Sequence, residues 1–165
     1  MVRSPERQLT EAYRELGDAI FRFCYAHTGD RDRALDMTQE AFTRTWRALL
    51  SGTTVRDMKP FLYRTARNAC IDLSRKPGAD SLEALREIGF DVRDDSLLDP
   101  LLSAEANRAI RCIARIEEPY REAVALRYVN DLMPREIAEI IGESENVISV
   151  RITRGMQKLR ELMQI

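Results

Sequence analysis

Basic side chains recur at helical spacing near the carboxyl end of this 165-residue chain. Arg151, Arg154 and Lys158 are three and four residues apart, which places them near one another on a helix. Guanidinium and ammonium groups in such an arrangement can bind the phosphates of a nucleic acid. They can equally form the solvated face of an ordinary helical hairpin. The pattern alone leaves both interpretations open.

The stretch from Leu132 to Leu162 is predicted to form two helices joined by a tight turn. Pro134 suits the first turn of a helix, where its missing N–H breaks no hydrogen bond. Gly142 can end that helix in the left-handed conformation, and Ser144 can cap the next one. Gly155 would allow another helix to approach closely. A short helix, a turn and a longer basic helix are the layout of a helix-turn-helix, whose second helix enters the DNA major groove.

A second set of polar residues lies on a predicted helix from Phe61 to about Arg75. One side of this helix is apolar, and the other carries basic residues, an asparagine and an aspartate. The polar residues, which suit contact with phosphates and bases, are Arg64, Arg67, Asn68, Asp72, Arg75 and Lys76. Simple surface charge would be the preferred interpretation if this segment stood alone.

Few residues could support catalysis or bind a metal. The chain has one histidine, His27, and three cysteines that are far apart in apolar helical context. No zinc-binding spacing can be drawn from them, so buried reduced thiols are expected, with a redox or metal switch as the alternative. There is no glycine-rich phosphate loop and no paired-acid constellation. We therefore expect no enzymatic activity, no cofactor and no resident metal.

The net charge of −1 conceals an uneven distribution along the chain. Residues 1–77 carry 14 basic and 10 acidic side chains, whereas residues 78–103 carry two basic and seven acidic ones. The near-neutral total therefore does not argue against a polyanionic partner. No apolar run approaches the roughly 18 residues of a membrane span, and the N-terminus lacks a signal-peptide core. A cytoplasmic location without membrane insertion is expected.

Apolar periodicity predicts an all-α fold made of two small helical domains. Residues 1–77 are expected to form a three-helix bundle in which residues 1–8 are a loose, polar start. Residues 103–165 form the second domain, which contains the helix-turn-helix. Residues 78–102 are an acidic linker, with one short helix at Ser81–Ile88. Neither strand alternation nor an internal repeat is found.

Three stretches, in this order and at this separation, resemble the extracytoplasmic-function sigma factors of bacterial RNA polymerase. They are GDRDRALDMTQEAFTRTWRAL, FLYRTARNACIDLSRK and PYREAVALRYVNDLMPREIAEIIGESENVISVRITRGMQKLRELM. The likeness covers Leu9–Pro77, which matches sigma region two, and Ser103–Met163, which matches region four. The regions that separate these two in larger sigma factors have no counterpart here beyond the short linker.

The resemblance implies a polymerase-binding surface on the second helix. The family's D-x-x-Q-E-x-F pattern falls on Asp36, Gln39, Glu40 and Phe42, and Arg44 is assigned to the same surface. In the family this helix docks on the clamp coiled coil of the polymerase. Exposed carboxylates and an amide can pair with arginines on such a partner helix. Phe42 is expected to serve the core instead.

The resemblance also implies two DNA-binding surfaces. The loop Ser51–Lys59 matches the family's specificity loop, which receives a base flipped from the minus-ten element, and the polar side of the third helix matches the face beside it. The second helix of the helix-turn-helix matches the reader of the minus-thirty-five element. Its assigned residues are Asn146, Ser149, Val150, Arg151, Arg154 and Lys158.

Two departures from the family pattern concern the helix-turn-helix. Met133 stands where the family often has Ser or Thr as an N-cap, so a weaker cap is expected. Family members often carry Thr, Lys and Ser where this chain has Val147, Ser149 and Val150. Apolar groups there could touch thymine methyl groups, or the helix could rely on its basic residues for phosphate contacts.

The function implied by the resemblance is that of a promoter-specificity subunit. Its expected partners are core RNA polymerase, promoter DNA and an anti-sigma factor. Two other interpretations stay open. A conventional helix-turn-helix regulator would bind a palindromic duplex without polymerase. A sigma-like mimic would bind only an anti-sigma partner.

Overall fold

The first half of the chain is a bundle of three helices. The computed structural model describes residues 3–75 and 99–165, and the bundle comprises α1 (Pro5–Thr28), α2 (Arg31–Leu50) and α3 (Met58–Arg75). The loose start predicted for residues 1–8 is wrong from Pro5 onward, where α1 begins. Ser4 caps it by accepting a hydrogen bond from the Arg7 N–H at 3.3 Å, and proline suits the first turn.

The second half is helical as well. Its elements are α4 (Ala104–Ile113), α5 (Tyr120–Val124) with a π-helical continuation (Ala125–Val129), α6 (Pro134–Ile141) and α7 (Glu145–Met163). The described ranges contain no strand, which confirms the all-α prediction. Most of the predicted linker, including the helix expected at Ser81–Ile88, lies outside the described residues.

Local side chains determine where α6 and α7 begin and end. Ser144 caps α7 by accepting the Val147 N–H at 3.2 Å, and Gly142 ends α6 with φ of 83°. Met133 supplies no side-chain cap to α6, as expected. Glu136 compensates in part, because its Oε1 accepts the Met133 N–H at 3.2 Å.

Gly155 permits the close packing of α7 on α5. A Cβ atom at this position would overlap the side chain of Val124 and would lie 3.2 Å from the carbonyl oxygen of Tyr120. An alanine here would force Val124 or one of the two helices to shift. The helix-turn-helix therefore packs on α5 through a close contact between the backbone of α7 at Gly155 and the residues Tyr120 and Val124.

The two halves share one hydrophobic core. Helix α1 packs not only on α2 and α3 but also on α4, α5 and the π-helical segment, and α3 packs on α6. Buried apolar residues run without interruption from Ile20 and Phe23 of α1 to Leu126 and Ile137 of the second half. The three cysteines are buried and none forms a disulfide. This shared core determines which side chains remain available to partners.

Candidate functional site

The polymerase-binding residues predicted on α2 fall into two groups. Asp36 and Gln39 are exposed on the outer side of the helix. Arg44 instead donates to Glu40 at 2.9 Å and to Asp72 of α3 at 2.8 Å, and these bonds raise the pKa of Arg44. The structure thereby joins Asp72, assigned to DNA, to residues assigned to the polymerase. Asp36 and Gln39 are the members of the predicted polymerase-binding set that are exposed and take no part in these ion pairs.

The polar side of α3 is also divided. Arg64 and Asn68, one turn apart, are exposed. Arg67 turns toward the second half of the chain. The side chain of Arg75 and the whole of Lys76 lie outside the described residues.

Arg67 forms a bidentate ion pair with Glu122 of α5. Its Nε and Nη2 donate to the two carboxylate oxygens at 2.6 and 3.2 Å, and this bonding raises the pKa of Arg67. Glu122 is only 5% exposed. Paired guanidinium and carboxylate groups with two parallel bonds are strongly directional. A residue predicted to bind DNA is thus bound within the protein.

His27 of α1 lies beside this pair. Burial, helped by the charge of Arg121, lowers the pKa of His27 to about 3, so its ring is neutral near pH 7. Its Nδ1 is 3.5 Å from the carboxylate of Glu118, which also accepts a bond from Arg121 at 2.9 Å. Ligand atoms of His27, Glu118 and Glu122 lie within 4.8 Å of one another. Because arginines already bind both carboxylates, the arrangement is a charge-balanced ion-pair cluster.

Further polar contacts join the two halves. Tyr25 donates to Asn107 at 2.8 Å in the buried interface, and Asn130 donates to a backbone carbonyl of α1 at 2.8 Å. Lys59, the last residue of the predicted specificity loop, donates to Glu136 at 3.1 Å. Each contact would have to be given up if the halves separated.

Sequence reasoning missed Glu122 and its neighbours. None of the predicted site residues lies between Glu117 and Val129. One signal was present: residues 123–126 are apolar without interruption, which is typical of a helix buried on more than one side. A carboxylate within such a helix needs a buried partner. The identity of that partner cannot be read from the pattern.

The outer face of α7 is formed by exposed residues at a spacing of three and four. Of the predicted minus-thirty-five residues, Asn146, Ser149, Val150 and Arg154 lie on it. Thr153, which the prediction omitted, is exposed on the same face. Its spacing from Ser149 and Val150 was the available signal.

Two of the predicted basic residues are engaged elsewhere. Arg151 lies 3.4 Å from Glu143 and is largely covered. Lys158 donates to Glu117 at 2.7 Å and stands 5.3 Å from the centre of the Tyr120 ring, and the bond to Glu117 raises the pKa of Lys158. Of the three basic residues predicted to contact DNA on α7, Arg154 is the one without an ion pair in the part of the chain that the structure describes.

Comparison with known families matches both halves of this arrangement. A three-helix bundle packed on a helix-turn-helix module is the architecture of a two-region DNA-binding transcription factor. Two protein families match these two parts of the chain. Residues 12–79 match Sigma-70 region 2, and residues 106–159 match Sigma-70, region 4.

Individual relatives narrow the assignment. The chain is 31% identical to the ECF RNA polymerase sigma factor SigW of Bacillus subtilis, over 89% of this chain and 84% of the relative. It is 28% identical to SigM of the same organism, over 93% and 94%. The chain therefore belongs to the extracytoplasmic-function sigma factors of the sigma-70 family. As such it is a transcription-initiation sigma factor.

Two solved structures share the fold. One is CnrH in complex with the cytosolic domain of CnrY, with a TM-score of 0.68 and 21% identity over 96% of this chain and 89% of that one. The other is the sigma factor RpoE of Bartonella quintana in complex with the anti-sigma factor NepR, with a TM-score of 0.71 and 18% identity over 96% and 98%. In the described ranges, no helix has the length and apolar character needed to cross a bilayer.

Proposed function

We propose that this sigma factor binds core RNA polymerase through α2 and promoter DNA through α3 and α7, so that it selects promoters and supports their melting. The observation that carries the proposal is the match of both halves to the two sigma regions, in the same order as in its relatives. The chain acts by binding and not as an enzyme. Its place of action is the cytoplasm, where polymerase and promoter meet.

The polymerase contact is assigned to Asp36 and Gln39. Both are exposed, so they can bind a partner without disturbing the bundle. Glu40 and Arg44 support this surface from the side, because Arg44 already bridges Glu40 and Asp72. Carboxylate and amide groups on a helix suit arginine side chains on a coiled coil of the polymerase.

Melted minus-ten DNA is assigned to the polar side of α3. Arg64 and Asn68 are exposed and one turn apart, which suits simultaneous contact with a phosphate and a base. Arg67 can join them only after its bonds to Glu122 are released. Arg75 and Lys76 complete the predicted surface. We assign duplex minus-thirty-five DNA to the outer face of α7.

An anti-sigma factor is proposed as a third partner. The support is that one solved structure with this fold, RpoE, is in complex with an anti-sigma factor, and another, CnrH, is in complex with the cytosolic domain of CnrY. Such a partner would compete for the surfaces that polymerase and DNA require.

In-vitro transcription with core polymerase tests the proposal. The purified chain is added to core enzyme and a library of promoter fragments, and start sites are sequenced. We expect specific start sites that are absent with core enzyme alone. A chain that binds a palindromic duplex without core enzyme would be a conventional regulator. A chain that binds neither core enzyme nor DNA would refute the proposal. The remaining interpretation would then be a sigma-like mimic that binds only an anti-sigma partner.

A further inference from the structure

The outer face of α7 has an apolar centre. Val150 is 47% exposed, and it is surrounded by the exposed polar residues Asn146, Ser149, Thr153 and Arg154. Valine is a poorer helix former than Arg, Lys, Gln or Glu, which suit the exposed face of a helix better. Helix propensity therefore does not explain an apolar side chain on a face that is otherwise polar.

Apolar surface continues inward from Val150. Together with Val147 and Tyr120 it lines an open cleft of about 320 Å³, whose lining also includes Arg151 and Arg154. Apolar side chains and guanidinium groups thus face the same cleft. Polyanionic DNA fits this lining, because a phosphate can meet the exposed Arg154 while a base edge meets the apolar side chains.

The residue next to Val150 on this face offers no free hydroxyl proton. Thr153 donates its hydroxyl to the backbone carbonyl of Ser149 at 3.0 Å, so that proton is used within the helix. Val150 is therefore an apolar position between exposed polar residues, among which Thr153 has no hydroxyl proton left to offer a base. Hydrogen-bond donors for neighbouring base edges are available at Asn146, Ser149 and Arg154.

Only one base matches an apolar contact in the major groove. Thymine carries a methyl group at C5, whereas cytosine presents an amino donor that valine would leave unpaired. We propose that Val150 reads the C5 methyl group of a thymine in the minus-thirty-five element. The inference rests on the proposed function, since it takes α7 as the DNA reader.

Deoxyuridine provides the test, because it differs from thymidine only by the C5 methyl group. Core polymerase with this sigma factor bound (the holoenzyme) first selects duplexes from a promoter library that is randomised across the minus-thirty-five element. A selected duplex is then resynthesised with each thymine of that element replaced singly by deoxyuridine. We expect one replacement to weaken wild-type holoenzyme binding about three- to fivefold, the effect of losing one buried methyl group, while the others have little effect.

Variants assign the effect to a side chain. Holoenzyme with Val150→Ser should bind the thymine duplex more weakly and should not distinguish it from the deoxyuridine duplex. Met133→Ser, which removes an exposed apolar side chain at the start of α6, serves as the control and should keep the full discrimination. Circular dichroism checks that both variants remain folded.

The outcomes separate this inference from the proposed function. A holoenzyme that selects no duplex would overturn both. A holoenzyme that selects duplexes but tolerates every deoxyuridine would overturn only the methyl contact. The same would follow if Val150→Ser kept the wild-type discrimination.

Discussion

Arg67 of α3 and Glu122 of α5, 55 positions apart in the chain, form a bidentate ion pair across the interface between the two halves. The same guanidinium group cannot bind Glu122 and a DNA phosphate in this way at once. The face of α3 assigned to minus-ten DNA is thus partly occupied within the protein, whereas the outer face of α7 is exposed. Use of Arg67 by DNA requires that this ion pair break.

Glu122→Gln should loosen the contact between the halves. The substitution leaves Arg67 without its counter-charge, and Arg67 is 26% exposed, so we expect a loss of about 2 kcal/mol, below the range for fully buried pairs. Urea unfolding measures the loss, and the distance between spin labels on α2 and α7 measures any separation. Glu139→Gln on the exposed side of α6 is the control. Equal stability and equal distances in both variants would contradict the role of the pair.

Asp36→Ala with Gln39→Ala should weaken binding to core polymerase by about tenfold or more, as expected for removal of central interface contacts. Both side chains are exposed, so helicity should not change. Fluorescence anisotropy with labelled chain and core enzyme gives the affinity. The matched control is Glu15→Ala with Asp18→Ala, which removes exposed polar groups from α1. If the two double variants bind core enzyme equally well, α2 is not the polymerase contact.

Arg154→Ala and Lys158→Ala should differ in the salt dependence of promoter binding. Arg154 is exposed, so its loss should reduce the slope of log K against log salt by about one. Lys158 is bound to Glu117, so its loss should leave that slope nearly unchanged. Holoenzyme binding to a minus-thirty-five duplex at several salt concentrations gives both slopes. If Lys158→Ala reduced the salt slope more than Arg154→Ala, the phosphate contact would belong to Lys158 and not to Arg154.

Gly155→Ala should destabilise the packing of α7 on α5. The added methyl group overlaps the side chain of Val124, and the expected cost is about 1–3 kcal/mol. Gly17→Ala is the control, because a Cβ there meets only Tyr13 at 3.9 Å and a helix interior favours alanine by up to about 1 kcal/mol. Thermal unfolding should move in opposite directions for the two variants. A stabilised Gly155→Ala variant would show that the helices can move apart at little cost.

His27 should make stability fall as the solution becomes acidic. Its pKa is lowered to about 3 in the folded chain, whereas an unfolded histidine has a value near 6.5. The unfolded state therefore takes up a proton first, and stability is lost as pH falls below about 6.5, with a slope of about 1.4 kcal/mol per pH unit. Urea unfolding between pH 5 and 7 measures this slope.

His27→Gln removes the titrating group. The variant can be less stable at pH 7, but its stability should change much less between pH 6.5 and 5, a range above the titration of most carboxylates. Parallel pH profiles for the variant and the wild-type chain would show that another group carries the dependence.

Much of the fold was predictable from the sequence because it depends on near neighbours. Apolar residues three and four apart predicted the helices of both halves, and Ser144 and Gly142 placed the boundary between α6 and α7. The resemblance to sigma factors was confirmed by both region matches. The one clear error of the helix prediction, at residues 1–8, came from reading polar residues as a loop although Ser4 and Pro5 form a helix start.

Tertiary structure decided which candidate residues are free to bind polymerase or DNA. Arg67 and Arg154 look alike in the sequence, yet one meets Glu122 and the other is exposed. Lys158 is likewise bound by Glu117, a residue from another element. Helical periodicity acts over one or two turns, whereas these ion pairs depend on how the two halves pack. The sequence by itself determined the helices and the family, and the shared core decided which charges are left for polymerase and DNA.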